Sequence, residues 1–270
     1  MEALRQIESW PVPAAAVGLV ERGGAASSHG EVDRRFRWAS VTKPVTALAA
    51  LVAVEEGVVD LEQPAGPARS TLRHLLAHAS GLPLNDGPPL APPGRRRIYS
   101  NSGIEAVAGA VAEGVEMPFA DYLAAAVLRP LGLGADLAGS PAWGLRGSLL
   151  DLLTLGRELL EPTLLAPETV AEAITVAFPG LTGVLPGFGR MEQNDWGLGF
   201  ELRDGKSPHW TGARNSPRTF GHFGASGTFL WVDPDAGLAL ACLTDREFGD
   251  WAKEAWPRLS DAVLAEASIG

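Results

Sequence analysis

Sulfur, positive charge and long apolar runs are all in short supply in this chain of 270 residues. Its single cysteine, Cys242, cannot close an internal disulfide, and its place in the apolar run Leu238 to Leu243 reads as a buried strand position. Lysine and arginine number 22 against 32 aspartates and glutamates, a formal net charge of -10, which excludes the basic face that nucleic-acid binding needs. The one basic cluster, Arg95-Arg96-Arg97, lies in a proline- and glycine-rich stretch and reads as a solvated loop. No uncharged apolar stretch approaches the roughly 18 residues of a membrane helix, since Pro44 to Val54 stops at Glu55-Glu56. At the amino terminus, Glu2, Arg5 and Glu8 replace the positive segment of a secretion signal, and the apolar stretch Val12 to Val20, interrupted by Pro13, reads as a strand. These absences point to a soluble, cytoplasmic protein with neither nucleic acid nor membrane as partner. A composition of 46% hydrophobic and 20% charged residues is that of a globular chain able to build a substantial core.

Lysine is the scarcest of the charged residues. Lys43, Lys206 and Lys253 are the only three, and Lys43 stands three positions after Ser40 in Ala39-Ser40-Val41-Thr42-Lys43. If Ser40 opens a helix, positions i and i+3 share a face and the amine lies within reach of the hydroxyl. Serine is a poor nucleophile until a base takes its proton, and an adjacent amine can do so. The same spacing also suits a helix N-cap followed by a solvated lysine, so other motifs must decide.

The order of elements predicts an α+β fold. A short helix over 3–9 and a strand from Ala14 to Glu21 open the chain, and Ser40 precedes a helix from Val45 to Glu56 with Gly57 at its C′ position. Further helices are expected at Thr71 to Ala77, Gly103 to Glu113, Pro118 to Leu128, Leu149 to Leu160 and Pro167 to Val176. Strands follow at Trp196 to Leu202, Gly227 to Val232 and Leu238 to Leu243, then a final helix from Asp250 to Ala267. Strands at both ends imply one antiparallel sheet, flanked by N- and C-terminal helices, with an all-helical lobe inserted. The expected division is a sheet domain of residues 1–39 and 190–270 and a mainly helical domain of residues 40–189, with the active site in the cleft between them.

Two more strings carry chemistry. In Ile98-Tyr99-Ser100-Asn101-Ser102-Gly103, one of only two tyrosines precedes an asparagine at a loop-to-helix junction. A phenol beside a lysine cation can have its pKa lowered and relay protons, and the amide can donate to a substrate carbonyl. Alternatively, Tyr99 packs on the core and Asn101 caps the following helix. In Gly221-His222-Phe223-Gly224-Ala225-Ser226-Gly227, the glycines permit close backbone approach and a strand edge can offer an N–H to an oxyanion, or the segment is a glycine bulge with an exposed histidine.

Together the three strings resemble those of class C beta-lactamases, penicillin-binding-protein-like DD-peptidases and related esterases. Leu75-Leu76-Ala77-His78-Ala79-Ser80-Gly81-Leu82-Pro83, Trp196-Gly197-Leu198-Gly199-Phe200 and Leu243-Thr244-Asp245-Arg246 resemble further segments of the family, so the likeness runs over nearly the whole chain. The resemblance implies a beta-lactamase/transpeptidase-like fold and a serine hydrolase with Ser40 as the acylated nucleophile, Lys43 as base or electrostatic activator and Tyr99 as proton carrier to the leaving group. It implies that Asn101 orients the acyl side chain, that His222 and Gly224 match a third motif that is often Lys-Thr-Gly, and that Ser40 and Ala225 supply the oxyanion N–H groups. No cofactor or metal is implied. The expected substrate is a small-molecule ester, amide or beta-lactam-like compound; the alternatives are a D-amino-acid peptidase or carboxypeptidase, a weak beta-lactamase, and a catalytically silent sensor module. Histidine at the third motif is largely neutral at pH 7, which favours esters over carboxylate-bearing substrates unless Arg214, Arg218 or the arginines at 95–97 lie near the cleft.

Other features count for less. His74 and His78 sit four apart without the glutamate of a His-Glu-x-x-His site, so packing is expected there, not a metal. Trp38 and Trp196 lie near the motifs and are candidates to line an acyl pocket, and Asp151 and Glu158 are expected on a solvated helix face.

Overall fold

The computed structural model describes residues 1–268. A 3-10 helix, Glu2–Ser9, leads into the hairpin β1 (Ala15–Glu21) and β2 (Ala26–Gly30), then β3 (Phe36–Arg37). A 3-10 turn, Ala39–Val41, carries Ser40 directly into α1 (Thr42–Glu55), and α2 (Leu72–Leu76), α3 (Asn101–Val115) and α4 (Phe119–Leu123) follow. After α4 the chain winds through one π-helical turn, Ala124–Leu128, to β4 (Asp136–Leu137) and β5 (Leu145–Gly147), then α5 (Leu149–Leu160) and α6 (Pro167–Ala173). A hairpin of β6 (Gly183–Leu185) and β7 (Gly189–Met191) precedes β8 (Glu201–Leu202), β9 (Phe220–Gly224), β10 (Thr228–Asp233), β11 (Leu238–Thr244) and the closing helix α7 (Asp250–Ala267).

The main sheet has six strands in the order β2-β1-β11-β10-β9-β8, every neighbouring pair antiparallel. Cys242 of β11 sits between Val17 of β1 and Phe229 of β10, so the two ends of the chain close one sheet as expected. Its central strands are buried on both faces and therefore read as nearly continuous apolar runs. Val17, Leu19, Phe229, Trp231, Leu240 and Cys242 pack with α7 and the amino-terminal helix, while Ala16, Val20, Leu230, Val232, Ala241 and Leu243 face the helical section.

Helix α5 shows how sequence and sheet are matched. Ser148 and Asp151 form a reciprocal capping box at its start, and Leu149, Leu152, Leu153 and Leu155 are buried on its inner face. It lies against β1, β10 and β11, so the section between residues 40 and 189 contributes a helix to the sheet as well as short strands of its own. Gly18 permits this approach, because a Cβ there would meet Leu153 at 2.8 Å. The expectation that Asp151 and Glu158 are solvated is overturned: both are buried. Asp151 accepts from the N–H groups of Gly134 and Ser148, and Glu158 accepts from the N–H groups of Thr163 and Leu164 and the hydroxyl of Thr163. Loops reach α5 at Asp151 and Glu158, whose carboxylates satisfy their backbone donors, while Leu150 and Thr154 stay exposed.

Two strand expectations need correction. Of Trp196 to Leu202, only Glu201 and Leu202 form a strand, because Gly199, with φ of +85°, turns the backbone where a side chain would collide with Ala47 of α1. Conversely, Phe220–Gly224, expected to precede a strand, is itself one, held between β8 and β10.

Candidate active site

The turn that presents Ser40 is built from both the sheet and the helical section. Ala39 adopts a left-handed φ of +46°, a conformation costing about 1 kcal/mol or more for a residue with a Cβ. The strained turn is held from below: Thr228 Oγ1 donates to Trp38 O at 2.9 Å and Ser226 Oγ donates to Arg37 O at 2.8 Å. Gly224 is the contact point, where a Cβ would stand 2.6 Å from Trp38 O and 3.0 Å from Ala39 Cβ. Gly224 therefore seats β9 beneath the serine turn and is not part of the cleft wall.

Lys43 falls in the first turn of α1, fully buried, with Nζ 3.1 Å from Ser40 Oγ, 2.8 Å from Asn101 Oδ1 and 2.9 Å from Ala142 O. Burial lowers its pKa from 10.5 to about 7 against the pull of Glu105. Two of the three partners, the Asn101 and Ala142 carbonyl oxygens, can only accept. A neutral amine has two N–H groups for them, leaving its lone pair for the Ser40 hydroxyl.

Ser100, not Asn101, caps α3: its Oγ accepts from Gly103 N at 2.9 Å and donates to Pro83 O at 2.6 Å. Asn101 is thereby free to meet Lys43 through Oδ1 and Asn85 through Nδ2. Tyr99 lines the cleft beside Ser40, and Lys43 Nζ lies 4.7 Å from the centre of its ring. The expected lowering of the Tyr99 pKa is reversed: burial pushes the phenol well above its ordinary value, outweighing the opposing pull of the Ser40 hydroxyl. Desolvation disfavours phenolate and ammonium alike, so the lysine that was to supply the stabilising charge has itself lost much of it.

His222 lies next to this group, its ring centre 5.7 Å from Tyr99 and 5.4 Å from Trp196. Its Nδ1 donates to Phe223 O at 2.7 Å, and its Nε2 is buried without a partner among the described residues. Burial, and then Lys43, hold its pKa down at about 3, so the ring is neutral. His78 packs against Tyr99 and Trp196 from the other side, with Nδ1 accepting the N–H of Ser100, while His74 stacks on Phe178 and binds Thr71; the two histidines serve different neighbours.

A cleft of about 310 Å³ opens onto Ser40, Tyr99, Asn101, Trp196, His222 and Ala225. Strand β8 is only two residues long and pairs with Phe220 and Gly221, which leaves the edge of β9 from His222 onward open along the cleft. The far walls are apolar: Leu84, Leu185, Pro186, Phe223 and Phe248. Trp196 lines the cleft, whereas Trp38 is buried beneath it against Gly147. Glu201, which no sequence pattern singled out, touches the cleft floor while its carboxylate accepts from Lys206 at 2.5 Å, His209 at 2.9 Å and Trp210 at 2.9 Å. Burial alone would raise its pKa, but the His209 and Lys206 charges hold it at about 2.

None of the arginines considered from sequence reaches the cleft wall. Arg97 is buried and donates to the carbonyls of Asn194, Ala77, Ala177 and Phe178, Arg218 pairs with Asp235 at the surface, and Arg95, Arg96 and Arg214 are exposed elsewhere.

Serine, amine and phenol thus meet at the mouth of one groove. The beta-lactamase family model matches residues 8–264. The chain belongs to the beta-lactamase family. A crystal structure of a beta-lactamase from Mycobacterium bovis is 53% identical, with a TM-score of 0.97 over 98% of this chain and 99% of that one. Two more distant structures share this beta-lactamase-family protein's fold: simvastatin synthase from Aspergillus terreus at 19% identity and a TM-score of 0.82, covering 99% of this chain and 94% of that one, and SurE in complex with D-Leu at 23% identity and a TM-score of 0.79, covering 99% and 74%. No curated protein matches. Family membership supports a serine hydrolase acting on a small molecule.

Proposed function

We propose that this protein acylates Ser40 with small acyl groups delivered as esters or amides and then passes them to water. The observation that carries this is the Lys43 amine: two acceptors occupy its N–H groups, burial brings its pKa to about 7, and its remaining valence faces Ser40 Oγ. Near neutral pH such an amine accepts the serine proton as Oγ attacks the carbonyl carbon. The N–H groups of Ser40 and Ala225 stabilise the oxyanion, the first at the start of a helical turn and the second at the end of the open β9 edge. Collapse of the intermediate breaks the bond to the leaving group, which takes its proton from Tyr99, and the Lys43 ammonium, with Nζ 4.7 Å from the centre of the Tyr99 ring, gives the phenolate a proton in return. Water then repeats the sequence in reverse, and Ser40 Oγ leaves with a proton. The raised pKa of Tyr99 fits a relay that stays protonated between transfers and favours Lys43 as the acylation base.

Neutral His222 and the apolar far walls support esters or amides with an uncharged, apolar leaving group over beta-lactams, whose carboxylate would find no cation in this cleft. The test is incubation with a fluorophosphonate and with labelled penicillin, followed by intact mass and peptide mapping, beside turnover of p-nitrophenyl esters and a cephalosporin. An adduct on Ser40 that is lost in Ser40→Ala, with esters turned over faster than the cephalosporin, is expected. No adduct with any acylating probe refutes covalent chemistry, and faster cephalosporin turnover refutes the ester preference.

A further inference from the structure

The apolar cleft leaves unexplained a second cavity that meets it at Ala225. This cavity, of about 360 Å³, is lined by Arg37, Ala39, Trp143, Arg146, Ser226 and Glu247 among others. Ala39, which lines it, precedes the nucleophile, and Ala225 lines both spaces, so the two cavities adjoin beside Ser40. Arg37 and Arg146 are directly opposed in the antiparallel pair of β3 and β5, their side chains exposed on one face. Two like charges in that register repel, and Asp136, opposite Arg146 on its other side in β4, is taken up by Arg35. In a chain with ten more acidic than basic residues, their neighbours are neutralised, Arg34 by Asp245 and Glu31 and Arg35 by Asp136, yet neither Arg37 nor Arg146 makes an ion pair among the described residues. Trp143, half exposed on the same wall, offers a flat apolar surface beside them.

We infer that this cavity holds the acyl arm of the substrate and that the arm ends in a carboxylate gripped between Arg37 and Arg146. Guanidinium groups bind a planar carboxylate through paired N–H donors, and an anion between them relieves the repulsion built into the strand pair. Glu247 on the same wall opposes a second negative charge, so a monoanion fits where a phosphate dianion does not. The substrate class is then an ester or amide of a short dicarboxylic acid, its neutral leaving group in the apolar cleft and its free acid in the arginine cavity. This rests on the acyl-enzyme reading of Ser40 above, and the experiment separates the two.

The p-nitrophenyl hemiesters of succinate, glutarate and adipate are compared with the butyrate, valerate and hexanoate esters at low and high salt. The expected result is that at least one hemiester exceeds its neutral counterpart in kcat/KM by tenfold or more at low salt, that salt erodes the ratio, and that Arg37→Gln with Arg146→Gln lowers it tenfold. In parallel, glutarate is titrated into Ser40→Ala by calorimetry, with a tenfold weaker Kd expected when the two arginines are also replaced. Equal ratios in the parent and the double variant, or glutarate binding that is absent or indifferent to the arginines, overturn the inference while leaving hydrolysis of neutral esters intact. Failure of all esters, with glutarate still bound through the arginines, instead overturns the acyl-enzyme reading and leaves the anion site standing.

Discussion

Lys43 couples stability and activity through one proton, and that coupling can be measured. Its pKa falls from 10.5 in the unfolded chain to about 7 in the native state because a fully buried ammonium loses its hydration. Between those two values the unfolded state binds the proton and the native state releases it, so raising the pH favours the native state. Above the unfolded pKa both states are neutral and burial carries no charge penalty; as pH falls the penalty accumulates, and it is complete below the native pKa. Integrating from pH 7 to pH 9 gives a gain of about 2 kcal/mol from this group alone. Lys43→Met keeps the volume and removes the titration. It also strips the Asn101 and Ala142 oxygens of their donor, at about 1–3 kcal/mol each, but that loss is the same at every pH and drops out of the slope. Urea unfolding of both proteins from pH 6 to pH 9.5 should therefore show the wild type gaining about 2 kcal/mol on the variant between pH 7 and pH 9, with little change below roughly pH 6. The acid limb of ester kcat/KM in the wild type should have its midpoint near the same pH 7, and the variant should lose about 10²- to 10⁴-fold in rate. A stability difference that is flat with pH, or a kinetic midpoint more than about one unit from the stability midpoint, would show that Lys43 is not the titrating base.

Three further outcomes follow from contacts around the site. His222→Asn should leave the midpoint of the acid limb near pH 7, because His222 is already neutral there with a pKa of about 3; a displaced limb would mean that the imidazole, not the amine, titrates. Arg97→Met should lower unfolding free energy in urea by about 3–5 kcal/mol, since four carbonyls that now accept from one guanidinium would be buried without a donor, and a loss below about 1 kcal/mol would show that water replaces it. Gly224→Ala should reduce kcat more than it raises KM, because the added methyl stands 2.6 Å from Trp38 O and must push β9 away from the Ser40 turn; unchanged kcat would show that the turn tolerates the shift.

What could be read from the residues beforehand depended on whether the physics was local. Ser40 and Lys43 are three apart, so helix geometry alone predicts their contact, and the 3.1 Å separation follows once Ala39 to Lys43 forms a helical start. Tyr99, Asn101 and His222 lie far from Ser40 along the chain, and they were found through a resemblance to known motifs, not through periodicity. The signs of the pKa shifts were harder. Proximity of a lysine suggests a lowered tyrosine pKa, but the outcome depends on how much protein surrounds both groups, and burial is a property of the finished fold. The same limit explains Asp151 and Glu158. An amphipathic pattern assigns one face of α5 to the core and presumes water at every polar position, whereas at Asp151 and Glu158 the structure lays loops whose N–H groups need acceptors. Part of the wall of each cavity comes from irregular segments, Leu84, Pro186, Trp143 and Phe248 among them, which carry no period that a sequence pattern could register. Opposed arginines at 37 and 146 become visible only when the short strands β3 and β5 are paired in register, so their juxtaposition is a product of topology, and residue spacing alone would not disclose it.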